Sequence, residues 1–395
     1  MATPDAYWLA LRRVHGVGPR FARLLLDKFQ SPEQIFSGTL EELAATGIPK
    51  TTARRIREFA AFDTLERELC ELPRIGARLV RWTDSEYPVH LREIADPPPY
   101  LFVRGKLPAE QTRYIAVVGA RAASEAGRHM ARRLGLGLAA KGFTVVSGLA
   151  RGIDTEAHQG ALDAQGRTVA VMGCGIDVIY PAENRKLAEE IVAADGALIS
   201  ELPVGTPPVA ENFPGRNRIL SGLSLGVIVV EAAERSGSLI TARTALEQNR
   251  QVFAVPGSPL SGRSRGSNRL LKEGARLVEC VEDVIEELAP QLVGGFLAPA
   301  ESKIAALTPS GQNQPELTGN SLKIADLRPD RPQIGVGEPD DVRNLLNFLE
   351  QHGKVHADTI IDQSGLKAQT VLRLLMDLEL RGVIAQHPGK LFSLS

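Results

Sequence analysis

The sequence predicts a multidomain α/β protein: a central doubly wound parallel sheet of extended Rossmann-like type, an N-terminal helical module and a C-terminal winged helix. Three observations carry this. First, six short Val- and Ile-rich runs, at 114–118, 144–146, 168–172, 197–199, 226–230 and 251–255, alternate with helical patterns. Runs apolar on both faces, with helices between them, read as buried parallel strands. Second, most of these runs break into glycine or a small residue, at Gly119, Ser147, Gly173, Ser200 and Pro256-Gly257. Ligands of such sheets bind at the carboxyl ends of the strands, where these breaks fall. Third, the two ends of the chain read differently, as helices joined by short Gly turns and as three helices followed by a hairpin.

Residues 1–75 are expected to be the helical module. Helical patterns over 6–14 and 19–29 flank His15–Gly18, and a looser copy follows, with 43–49 leading into a helix over 51–62. Pro19 fits a first helical turn, where its missing N–H costs nothing. Helix, apolar-Gly-apolar-Gly turn, helix resembles the helix-hairpin-helix and SAM-like class, in which turn amides can meet a DNA phosphate. The plainer alternative is a tight turn between packed helices. Residues 76–296 are expected to form the sheet domain, opening with strands near Arg78–Trp82 and Tyr100–Val103. Pro punctuates 297–339, which reads as a linker. Over 340–395, Val342, Leu345, Leu346 and Leu349 mark one helix, 356–363 a second, and Val371, Leu374, Leu375 and Leu378 a third. A hairpin from Val383 to Leu394 completes the winged-helix plan.

The 395 residues carry 43% hydrophobic and 24% charged side chains and a formal net charge of -1. This is the composition of an ordinary soluble protein, so any basic footprint must be local. No apolar run is long enough to cross a membrane and no secretion signal is read at the N-terminus. Cys70, Cys174 and Cys280 are scattered, which suits a reduced cytosol and disfavours a thiolate metal site. GxxxxGK[ST], HExxH and GxSxG are absent, so P-loop, zincin and nucleophile-elbow chemistry is not expected. Gly173-Cys-Gly175 lacks the third glycine of a dinucleotide fingerprint. Asp154 and His158 share one helix face, as a cap and a satisfied histidine or as a metal-binding or general-base pair. No catalytic residue and no cofactor is expected.

Binding is better marked. Arg121 and Arg151 follow strand ends, and Arg216 and Arg218 flank Asn217 at a helix start. Four guanidiniums at one sheet edge would make a positive pocket, and the planar guanidinium suits phosphate. Phe213, in the turn Asn212–Gly215, would offer a ring on which a base can stack. Packing under the loop is the alternative for Phe213, and ion pairing with Glu201 or Glu231 is the alternative for Arg121 and Arg216. Ser236 and Ser238 open another helix, whose amides can hold an anion or serve only as a cap. Gly119, Gly148, Gly173 and Gly257 would let backbone approach a ligand, or simply permit tight turns; Ala120, paired with Gly119 before Arg121, is counted with the binding residues.

Five blocks, Val117–Arg121, Ser147–Asp154, Glu211–Gly222, Glu231-Ala232 and Ser236–Thr241, stand in the order and spacing of the DNA-processing protein family (DprA/Smf). The chain resembles that family over most of 78–280. The resemblance implies a mediator that binds and protects single-stranded DNA and helps load the RecA recombinase during natural transformation; a non-enzymatic role is expected, and the scattered cysteines place it in the cytoplasm. It also implies a homodimer through the α/β domain. The rival is a nucleotide-binding enzyme of the lysine-decarboxylase-like phosphoribohydrolase type. That class carries Pro-Gly-Gly-x-Gly-Thr, and Pro256–Gly262 departs from the pattern.

Overall fold

Six short helices open the computed structural model: α1 (Pro4–Arg13), α2 (Pro19–Phe29), α3 (Pro32–Ser37), α4 (Leu40–Ala44), α5 (Lys50–Arg57) and α6 (Phe62–Glu71). The structure describes residues 2–107 and 113–293, and scattered positions between 342 and 394. The linker expected at 297–339 lies outside the described residues. Thr3 caps α1, and Thr39 with Glu42 forms a capping box on α4, which supplies partners for amides that have none within the helix. The single helix expected over 51–62 is two helices. The chain breaks after Arg57 because Phe59 and Phe62 both turn into an aromatic group. Their rings meet edge-on at 5.2 Å, and Tyr7 lies 4.8 Å from Phe62.

The strands of the next region are β1 (Ala77–Arg81), β2 (Tyr100–Gly105), β3 (Tyr114–Val118), β4 (Thr144–Ser147), β5 (Thr168–Val171), β6 (Ala197–Ser200), β7 (Gly226–Val229), β8 (Gln251–Ala254) and β9 (Arg276–Leu277). They form one sheet in the order β1-β2-β6-β5-β4-β3-β7-β8-β9. From β6 to β9 all neighbours are parallel; β1 and β2 add an antiparallel edge. Between the strands run α7 (Val89–Arg92), α8 (Glu125–Ala140), α9 (Ile153–Asp163), α10 (Arg185–Ala193), α11 (Asn212–Leu223), α12 (Gly237–Glu247), α13 (Arg265–Lys272) and α14 (Val281–Val293).

The pleat of β3 shows why both faces are apolar. Ile115 and Val117 pack with α8, α9 and α14, whereas Tyr114, Ala116 and Val118 pack with α11, α12 and α13. A strand covered on both sides loses the polar-apolar alternation and reads as a continuous apolar run. The helices α1–α6 share a core with β2 and α10, from Leu9 and Leu25 through Tyr100 and Phe102 to Ile191. The Val204 amide donates to Glu68 at 2.9 Å and Arg23 to the Ile94 carbonyl at 2.6 Å, both across the same seam.

The C-terminal positions form a second compact unit. Val342, Leu345, Leu346, Leu349, Ile360, Val371, Leu375, Leu378, Ile384 and Phe392 share one core. The expected hairpin is present as β11 (Ile384–His387) and β12 (Leu391–Leu394), and β10 (Val355–His356) adds a third strand beside β12. With the helix Ala357–Ser364 this is a winged helix. Among the described residues no helix is long and apolar enough to cross a membrane, and no three His, Cys, Asp or Glu side chains cluster as metal ligands.

Candidate nucleic-acid interface

The sheet order reverses between β3 and β7. The chain leaves β3 for β4, β5 and β6 on one side and returns to place β7 on the other. Connections diverge at such a point and leave a crevice at the carboxyl ends of the two strands. A cavity of about 560 Å³ fills it. Its walls are Val118, Gly119, Ala120 and Arg121 at the end of β3, Ala150 and Asp154 after β4, Phe213, Arg216, Asn217 and Leu220 of α11, and Ala233, Arg235, Ser236, Gly237, Ser238 and Thr241 at the start of α12.

Phe213 does not sit in a loop turn. It occupies the first turn of α11, and Pro214 is tolerated beside it because first-turn amides have no intrahelical acceptor. The half-buried ring leans on Gly173, where a Cβ would stand 2.9 Å from Cδ1. Arg121 and Arg216 both lie over it, with Cζ at 5.1 and 5.8 Å from the centroid. A cation over a ring face is attracted by the ring quadrupole. Arg121 is exposed, and among the described residues no carboxylate pairs with it. Arg216 is 6% exposed and donates from Nη1 to the Val171 carbonyl at 2.9 Å, while its Nε has no partner.

The other two arginines are held elsewhere. Arg218 is buried and paired with Glu201 and, at 3.4 Å, with Asp96, and it does not line the cavity. Arg151 is exposed; its Nε and Nη2 donate to both carboxylate oxygens of Glu183 at 2.5 and 2.7 Å. It lines a smaller cavity of about 190 Å³ with Arg121, Ala122, Ala150, Tyr180 and Pro181. The four guanidiniums therefore divide: Arg121 and Arg216 at the crevice, Arg151 beside it, Arg218 in an ion-pair cluster. The anticipated acidic partners are occupied too. Glu231 accepts from the Ser124 amide at 3.1 Å and the Ser124 hydroxyl at 2.5 Å, and Glu201 is taken by Arg218.

In the cavity wall, Asp154 accepts from the Gly148 and Ala150 amides at 3.1 and 3.4 Å. Burial pushes its carboxyl up from the usual range, opposed by Arg216 and those amides. Burial conversely pushes the Arg216 guanidinium down, opposed by Asp154, although arginine keeps its proton in proteins. His158 is fully buried on α9, with Nδ1 2.7 Å from the Thr168 hydroxyl, which itself donates to the Val145 carbonyl. The hydroxyl hydrogen being spent, Nδ1 carries the imidazole proton. Burial, aided by Arg216, pushes this histidine down to about 3.

Gly152 joins the two loops. It stands at φ 74°, and a Cβ there would lie 2.4 Å from the Ala120 carbonyl oxygen. The Ile153 amide donates to that carbonyl and the Ala120 amide donates to the Glu231 carbonyl at 2.7 Å, so loops after β3, β4 and β7 are tied through Ala120. Ser236 caps α12, its hydroxyl 2.7 Å from that of Ser238, and both line the cavity at the helix N-terminus. Two exposed residues at the crevice, Arg235 and Tyr180, are not marked by the periodicity of the sequence. The basic residue directly before Ser-Gly-Ser could have marked Arg235.

A family profile described as DNA recombination-mediator protein A matches residues 78–289, one described as the DprA winged helix domain matches 329–390, and a SAM-like helix-hairpin-helix tandem matches 9–63. The chain is 38% identical over 349 residues to Protein Smf of Escherichia coli K12, covering 88% of this chain and 85% of that one. It is 47% identical over 204 residues to DNA processing protein DprA of Streptococcus pneumoniae R6, covering 52% of this chain and 72% of that one. The X-ray structure of DprA from Streptococcus pneumoniae superposes with a TM-score of 0.64 at 36% identity, covering 73% of this chain and 99% of that one.

Proposed function

The chain belongs to the DprA/Smf family of DNA-processing proteins, and from that premise we propose that it is a single-stranded-DNA-binding recombination mediator. The observation that carries the proposal is the grouping of Arg121, Arg216 and the Phe213 ring at one crevice, with no carboxylate paired directly to either guanidinium among the described residues. Proteins that hold single strands without sequence preference combine cations for the phosphates with rings for the bases. The amides opening α12 add a dipole end suited to phosphate. The proposal extends to the partners: a RecA-type recombinase that the protein helps to load in natural transformation, and a second copy of the chain, in the cytoplasm. The family description as a recombination mediator supports the first of these.

The test is competition between a single-stranded oligonucleotide and its duplex. Tighter single-strand binding is expected, falling with salt at a log–log slope of roughly -0.7 per phosphate neutralised. Equal affinity for strand and duplex would sink the proposal. Nucleoside monophosphates are assayed beside it. Release of free base from them would favour the phosphoribohydrolase-type enzyme instead.

A further inference from the structure

Tyr180 lies in the loop between β5 and α10, 44% exposed, at the edge of the crevice. Its ring centroid is 6.1 Å from that of Phe213, with the planes tilted by 51°. The two cavities beside these rings share Arg121 and Ala150 as a common wall. Phe213 lines the larger cavity, and Tyr180 lines the smaller one together with Arg151. Each ring thus has its own depression and its own arginine, with Arg121 between them.

The two rings differ in how open they are. Phe213 is half-buried, wedged against Gly173 and beneath two guanidiniums. Tyr180 has no cation over it among the described residues, and it keeps a hydroxyl that suits a wetted rim. Rings tilted by 51° cannot clamp one base between them, so each is left to take its own. Every base has a π-face, so such a pair of platforms is indifferent to sequence.

We propose that Tyr180 is a second stacking platform for single-stranded DNA: the strand runs from the large cavity across Arg121 into the groove beside Arg151, with one base on each ring. This rests on the single-strand proposal for the crevice and adds to it a direction and a second nucleotide. Glu183 must then yield its hold on Arg151 to a phosphate as the strand arrives.

The experiment titrates the full chain with fluorescent oligothymidylate and with an oligomer of equal length whose central residues lack bases. Tyr180→Ala should weaken oligothymidylate binding about 5- to 150-fold, the fold-change of one lost base stack, and leave the salt slope in place. Tyr180→Phe should bind as the wild type does. On the baseless oligomer, wild type and Tyr180→Ala should bind equally, whereas Arg121→Ala should weaken both oligomers. If Tyr180→Ala weakens both oligomers equally, the ring only braces the arginines and the stacking role is overturned. If Tyr180→Ala binds normally while Arg121→Ala does not, Tyr180 is no platform and the crevice proposal stands. If Arg121→Ala binds normally as well, both proposals fall.

Discussion

A Cβ on Gly148 would stand 1.6 Å from Nη1 of Arg216. The backbone of the loop after β4 is the seat of that guanidinium, and any side chain there evicts it. Gly148→Ala should therefore act as a partial Arg216 deletion, lowering single-strand affinity about tenfold or more. Combined with Arg216→Ala it should add little, because residues sharing one contact are not additive. Overpacking should also cost about 1–3 kcal/mol of stability. Titrations and melts of the two single variants and the double variant check this; a fully additive double variant contradicts it.

Losing an arginine and losing a ring should differ in kind. Arg121→Ala should flatten the salt slope by roughly 0.7, as one fewer counterion is released. Phe213→Ala should weaken binding by about 1–3 kcal/mol at every salt concentration and leave the slope nearly unchanged. Its half-buried ring predicts a lowered melting temperature as well. A normal affinity with a lowered melting temperature would make Phe213 a packing residue alone.

Arg151 and Glu183 are an exposed pair, the kind that contributes little to stability. Glu183→Gln should leave the melting temperature within a degree or so and free the fork for phosphate. Single-strand affinity should rise, because no ion pair has to be broken before the fork meets a phosphate. An unchanged affinity would place Arg151 off the strand.

His158 makes folding sensitive to acid. Its folded value of about 3 lies below the ordinary 6.5, so the unfolded chain binds the extra proton. Stability from this group is present above about 6.5 and is lost as pH falls, by up to about 1.4 kcal/mol per pH unit until the folded value is reached. Asp154, pushed up by burial, works in the opposite sense, favouring the folded state at low pH. Urea unfolding between pH 7 and 5, wild type against His158→Gln, isolates the histidine. The variant should show the shallower decline.

A chain ending at Val293 should fold and bind single strands with affinity close to that of the full chain, since α14 is the last described element of the first compact unit and the crevice is lined by residues between 118 and 241. A chain beginning at Arg78 should fare worse. It uncovers Tyr100 and Phe102, which α1–α6 cover. Solubility and melting temperature of the two truncations decide it.

The strands were legible because burial on both faces leaves a signature in composition, and the strand-end glycines marked where the crevice opens. The site was legible in part. Arg216 and Arg218 are two residues apart on a helix, about 200° around its axis, so both cannot face one cavity. That rule was available in the sequence once α11 was extended back to Asn212. Tyr180 was not legible, since Asp177–Pro181 has neither period nor motif and its ring meets Phe213 only through the fold. Nor was the partner of Arg151, which lies 32 residues away in sequence.

The pairing of β3 with β7 joins Ile115 to Gly226, about 110 residues later in the chain. During synthesis, one wall of the crevice exists long before the other. Arg121 is made early, Arg216 later, and the Ser236–Ser238 amides later still. Three strands must be laid down on the far side of β3 before β7 can dock and close the space between. A ribosome-bound fragment that stops short of β7 carries Arg121, Phe213 and Arg216 but lacks the wall from Ala233 to Thr241, so the closed pocket arrives in a single late step, after most of the sheet is already in place.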